Sequence, residues 1–121
     1  MYKQGEIVLI PFPFTDFSSN KKRPVLILSN DYYNNLTDDV IAAAITSNTA
    51  GKLYSVSLTN DGLTDGTLIY DSLIRADKVY TLSQSVILKR FGSVKKEIFA
   101  SVIGKINEIL IYGSLNGRTI R

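Results

Sequence analysis

Arg23-Pro24 follows the basic pair Lys21-Lys22 and opens the apolar run Val25-Leu26-Ile27-Leu28, so a cation stands at the mouth of a buried strand. Its planar guanidinium presents a fork of donors that matches a phosphate, and the following proline restricts Arg23 to extended geometry with its side chain held to one side. An edge-strand proline among solvated basic residues explains the same letters without chemistry. Thr46-Ser47 closes an alanine-rich run, where hydroxyls either donate to a phosphate oxygen or cap the next loop. Arg75 and Asp77, two apart in an alternating segment, face the same way. They read as a surface salt bridge or as a catalytic pair in which Asp77 orients the guanidinium.

Exclusion narrows the chemistry. The 121 residues contain no histidine and no cysteine, which removes Ser-His-Asp and Cys-His nucleophilic machinery, zinc sites with nitrogen or sulfur ligands and any disulfide scaffold. No Walker or dinucleotide-type glycine loop occurs, and the acids from Asp61 to Asp65 lack the spacing and closing glutamate of a calcium loop. Tyr, Thr, Ser, Asp, Lys and Arg remain. Among these, arginine is best suited to stabilising charge on phosphorus.

The elements that must hold these groups are short strands. Glu6-Ile7-Val8-Leu9-Ile10 and Val25-Leu26-Ile27-Leu28 read as strands buried on both faces, and Val40-Ile41-Ala42-Ala43-Ala44-Ile45 as a third whose alanines admit a close neighbour. Leu53 to Leu58 alternates serines with apolar residues, Asn60 to Gly66 is a turn, and Thr67-Leu68-Ile69-Tyr70 resumes extended structure. Leu73 to Thr81 predicts a strand with one polar face, and Val86 to Gly92 a last short strand. Ile98, Val102, Ile106 and Ile109, widened by Phe99, Ile103 and Leu110, recur at helical spacing and predict a helix over about Lys95 to Tyr112, stopped by Gly113. Gly104 inside it suggests close packing, because glycine there costs roughly 1 kcal/mol relative to alanine. Phe12 to Asn20 mixes aromatics with turn formers and predicts a loop, with Phe12 inward and Phe17 more exposed. Strands closed by one helix make a small barrel-like, mainly β (α+β) domain over residues 1–112, with 113–121 as a flexible tail.

A net charge of +3 and 45% hydrophobic content describe one domain able to bury a core, with a mild bias towards polyanions. Basic residues cluster at Lys21-Lys22-Arg23 and again at Lys89-Arg90 and Lys95-Lys96, so a fold that joins the clusters would make a nucleic-acid groove. The absence of a signal-like start and of any apolar run long enough to cross a bilayer points to a cytoplasmic protein without membrane association.

Gly5-Glu6-Ile7-Val8-Leu9 with Pro11-Phe12-Pro13-Phe14-Thr15-Asp16, Lys22-Arg23-Pro24-Val25-Leu26-Ile27-Leu28-Ser29, Ala43-Ala44-Ile45-Thr46-Ser47 and Ile74-Arg75-Ala76-Asp77-Lys78 with Thr81 occur in this order. Together they closely resemble the MazF/PemK family of toxin endoribonucleases, from Gly5 to about Leu110. The resemblance implies an SH3-like β-barrel of the MazF/PemK/CcdB type with a C-terminal α-helix. It also implies a homodimer, a cognate antitoxin that blocks activity, and a DNA-bound toxin–antitoxin complex formed through that antitoxin. Family members cut single-stranded RNA at short motifs without a metal or other cofactor. The ribose 2′-hydroxyl attacks the adjacent phosphate and leaves a cyclic phosphate and a free 5′-hydroxyl.

Carried over by position, Arg23 would act on the scissile phosphate and Thr46 would position the phosphate or the attacking hydroxyl. Arg75 and Asp77 match an acid and base that some branches use. One branch uses a histidine in the first loop, where this chain has Thr15 and Asp16. That loop, Phe14 to Lys22, would cover the RNA groove, with Phe14 and Phe17 stacking on unpaired bases and Lys21 and Lys22 following the backbone beside Ser47. Alternatively, Phe14 and Phe17 fold back as core. A topoisomerase poison of the same fold, as in the CcdB family, and a noncatalytic RNA- or antitoxin-binding descendant are the competing functions.

Overall fold

The computed structural model describes residues 1–12 and 21–111, together with the backbone of 113–115 and 118–120. Strands β1 (Glu6–Pro11), β2 (Lys22–Ile27), β3 (Asp39–Thr46), β4 (Ser55–Leu58), β5 (Leu63–Asp65), β6 (Ser72–Ser83) and β7 (Lys89–Val94) form one seven-stranded antiparallel sheet in the order β4-β6-β3-β2-β1-β7-β5. The sheet curls into a half-barrel. Helix α1 (Asp31–Leu36) joins β2 to β3, and helix α2 (Lys96–Leu110) follows β7.

The unbroken apolar runs have a simple cause. Successive side chains of a strand point to opposite faces, and here both faces are covered. Ile7, Leu26, Ala43, Ile45 and Ile74 form one core with Val102, against which Ile98, Phe99, Ile103 and Ile106 of α2 pack. The sequence neighbours Val8, Val25 and Ala42 form a second core on the other face, together with Val40 and Leu82. Val102 is completely buried, and burial of such a side chain contributes about 1.5–3 kcal/mol. Among the described residues no helix is long and apolar enough to cross a membrane.

Several expectations change. Helix α1 was not foreseen, although Asn30-Asp31 is a capping signal: the Asn30 side chain accepts a hydrogen bond from the Tyr33 N–H at 2.8 Å. Strand β5 lies inside the segment read as a turn, while residues 67–70 form no strand, and Ile69 and Tyr70 are exposed. Gly104 marks no close packing, since a Cβ there would meet nothing within 4 Å. At the end of the apolar stripe, Leu110 and Ile111 are exposed. Beyond α2, strand β8 (Gly113–Leu115) pairs with strand β9 (Arg118–Ile120). The letters between them, Asn116-Gly117, are a favoured two-residue hairpin pair.

Candidate active site

Pro24 sits in the central strand β2, between β1 and β3, so the edge-strand reading of Arg23-Pro24 does not hold. Proline has no N–H to give to a ladder. The β2–β3 pairing ends at Val25 with Ala44, one residue from Pro24, although both strands run on. Continued past that pair, the register sets Arg23 across from Thr46. Between them opens a cleft of about 240 Å³ lined by Phe12, Arg23, Val25, Ala44, Thr46, Arg75, Lys78 and Tyr80, with Ile10, Pro24 and Ile45. Ala44 lines the cleft between Val25 on one neighbouring strand and Arg75 on the other. The small side chain expected to admit a neighbouring backbone thus leaves room for a ligand.

Arg23 is exposed, and its guanidinium lies 4.9 Å from the centre of the Phe12 ring. A cation held face-on by an aromatic keeps its N–H edge for an acceptor. Phe12, expected to point inward, is 43% exposed because it performs this stacking at the cleft rim. No carboxylate among the described residues pairs with Arg23. Thr46 does cap its loop, since its Oγ1 accepts the Asn48 N–H at 3.1 Å. That use occupies an acceptor site and leaves the hydroxyl proton to donate into the cleft.

Strand β6 makes its contribution through an irregularity. Ala44 pairs with Arg75 while Ala43 pairs with Val79, so Ala76, Asp77 and Lys78 have no partner on β3. The bulge is held from the other side, where the Ala76 N–H donates to the Tyr54 carbonyl at 2.9 Å. Tyr54 adopts φ +55°, a left-handed conformation unfavourable for a bulky residue. Arg75 Nε donates to Asp77 Oδ1 at 2.9 Å and Nη2 to Oδ2 at 2.8 Å. The two-pronged contact holds the Asp77 carboxyl below the usual carboxylate range and raises Arg75 further. Asp77 does not line the cleft. With both carboxylate oxygens engaged, it orients Arg75 and is poorly placed to take a proton.

Arg23, Thr46 and Arg75 therefore converge, and Asp77 stands behind Arg75. Lys22 and Ser47 line a neighbouring cleft, on the far side of Arg23 and Pro24. Lys21 is exposed, and its carbonyl accepts the Phe12 N–H at 3.0 Å. Phe14, Thr15, Asp16 and Phe17 lie outside the described residues. In the late basic cluster, Arg90 is taken up by Glu6, Asp65 and Ser93. Lys78, Tyr80 and Phe12 are cleft residues that the letters did not single out. By strict alternation Lys78 and Tyr80 fall on the opposite face from Arg75, so spacing gave no signal for them, and it is the irregularity of β6 after Arg75 that brings all three to one cleft.

A family model described as "PemK-like, MazF-like toxin of type II toxin-antitoxin system" matches residues 3–110. No curated protein sequence matches the chain. Among solved structures, a MazE–MazF complex from Deinococcus radiodurans superposes with a TM-score of 0.73 at 22% identity, covering 91% of this chain and 95% of that one. MazF from the same organism gives 0.70 at 24%, covering 90% and 96%. A mycobacterial endoribonuclease in complex with its cognate antitoxin gives 0.72 at 21%, covering 91% and 95%. At these identities the superpositions show a shared fold, the half-barrel with its C-terminal helix.

Proposed function

The chain belongs to the PemK-like, MazF-like toxins of type II toxin–antitoxin systems, and on that premise we propose that it is an endoribonuclease that cuts single-stranded RNA. One observation carries the reading. The cleft gathers three cations, Arg23, Arg75 and Lys78, and two hydroxyls, Thr46 and Tyr80, from neighbouring strands, with no carboxylate among its described lining residues. Such a site suits an anion with several oxygens. The substrate's 2′-oxygen bonds to the adjacent phosphorus as its proton departs, and the bond to the 5′-oxygen breaks as that oxygen gains a proton. The products are a cyclic phosphate and a free 5′-hydroxyl. Arg23, stacked on Phe12, grips the phosphoryl oxygens; Thr46 donates its hydroxyl to the phosphate; Arg75, clamped by Asp77, stabilises the charge that develops. A nucleophile supplied by the substrate is in keeping with a chain that has neither histidine nor cysteine.

The partners follow the same premise. A cognate antitoxin blocks the cleft, and a second copy of the chain covers apolar surface such as Leu110 and Ile111, which are 75% and 64% exposed. Incubating the purified protein with a long mixed-sequence RNA in chelator tests the activity. Cuts recurring at one short motif, with cyclic phosphate ends, are expected. Intact RNA after prolonged incubation, with or without binding, would remove the nuclease reading and favour a noncatalytic descendant or a poison acting through protein contacts. A short neighbouring gene encoding an acidic, disordered C-terminal half is the expected genomic companion.

A further inference from the structure

Arg23, Pro24 and Ile45 line two clefts at once. The second, of about 320 Å³, differs in chemistry from the first. Leu68, Ile69, Tyr70 and Phe91 give it apolar walls, with Lys22 and Ser47 as polar groups. Ile69 and Tyr70 are 86% and 70% exposed, a large apolar offering for a surface loop.

The loop that presents them is tied down. Asn60 Oδ1 accepts the Leu68 N–H at 2.7 Å, and the Ser72 hydroxyl donates to the Tyr70 carbonyl at 3.0 Å. At the loop's start, Gly66 has φ +89° and approaches strand β7 so closely that a Cβ would lie 2.6 Å from the Phe91 carbonyl oxygen. An exposed aromatic on a tethered loop is a preorganised platform, which loses little freedom when something stacks on it.

We propose that this second cleft is a nucleobase subsite, in which Tyr70 stacks on the base of one nucleotide flanking the scissile phosphate. The inference rests on the ribonuclease reading and extends it. A phosphate held on Arg23 has a nucleoside on each side, and Arg23 has a cleft on each side. An unpaired base offers apolar faces to Tyr70, while Lys22 and Ser47 are suited to its polar edge or its phosphate. Tyr70 is thereby a specificity-determining residue, separate from the groups that act on phosphorus.

The test uses short single-stranded RNAs spanning the mapped cut, or the tightest-binding fragment of the long RNA where nothing is cut. Each flanking nucleotide is intact or abasic. Cleavage is followed with the ribose form, and affinity with a form bearing 2′-deoxyribose at the attacking position. One abasic position is expected to weaken binding and kcat/KM by about 10-fold in the parent protein. Tyr70→Ala should lose as much on intact RNA, Tyr70→Phe should stay near the parent, and the abasic change should cost Tyr70→Ala nothing more. An undiminished abasic penalty in Tyr70→Ala, or parent-like affinity of that variant, overturns the subsite. So does a change in self-association on sedimentation with no change in base dependence, which would make the patch an interface between copies. Because affinity reads the subsite and cleavage reads the nuclease, the failure of one is distinguishable from the failure of the other.

Discussion

The two ends of strands β2 and β3 are both polar, and they put their polar groups to opposite uses. At one end Asn34, only 2% exposed, donates to the Ser29 and Tyr2 carbonyls at 3.0 and 3.3 Å and accepts the Ser29 hydroxyl. The Ile41 N–H donates to Ser29 Oγ, and the Gln84 amide donates to the Asn34, Thr37 and Asp39 carbonyls. The Ser29, Asn34 and Gln84 side chains thus spend their hydrogen bonds on the protein itself. At the other end Arg23, Thr46 and Arg75 face a cleft, and Arg23 keeps its N–H edge for an incoming acceptor. A buried polar network rigidifies where it is satisfied, and a site can bind only where donors remain unspent.

If that contrast is right, mutations at the two ends separate activity from stability. The largest effect is expected from Arg23→Ala, a loss of about 10²–10³ in kcat with thermal stability near the parent's, because it removes a donor to developing charge. Arg23→Lys should also be impaired, since a point charge does not reproduce the fork. Parent-rate cleavage by Arg23→Ala would break the comparison. Next comes Asn34→Ala, which leaves buried partners unsatisfied and should cost about 1–3 kcal/mol in denaturant unfolding. Activity per folded molecule should be unchanged there, and a loss of kcat without a loss of stability would show that this end also serves catalysis.

The smallest effect, on the order of 10-fold in kcat/KM, is expected for Asp77→Asn, which loosens Arg75 without removing it. The sign of its pH dependence follows from the pair. Arg75 lowers the Asp77 carboxyl in the folded protein. The clamp is therefore complete above the ordinary carboxylate value near 4 and is lost only as pH falls below it. The deficit of Asp77→Asn should be even from about pH 5 to 8. A limb in that range that vanishes in the variant would make Asp77 a proton acceptor instead of a positioning residue.

Much of this was legible in the letters, and the reasons are local. Strands β1, β2 and β3 are continuous apolar runs because both faces of the sheet are covered, and α2 follows its helical stripe as far as Ile106. The same-face placement of Arg75 and Asp77 needs only strand alternation. Helix α1 was missed because six residues carry too little periodicity, so its cap was the usable sign. Residues 67–70 looked like a strand because their composition is apolar, yet the loop is tied to Asn60 and Gly66 abuts β7, contacts no local pattern reveals, and Ile69 and Tyr70 are exposed. Gly104 misled in the other direction, since a glycine in a helix reads alike whether its surroundings are crowded or open.

What the sequence by itself determined is the chemical vocabulary: arginines, hydroxyls and a carboxylate without histidine or thiol, set on short strands at spacings that resemble one toxin family. Tertiary structure alone decided which of those groups share a cleft. A proline that ends one ladder and a bulge of three residues in another open a cleft where Arg23, Thr46 and Arg75 meet. Asp77 is turned to the rear of Arg75, and Lys22 and Ser47 are sent to the other flank. Spacing along a strand sets only the direction of a side chain, whereas the distance between groups on different strands depends on where the ladders between them stop.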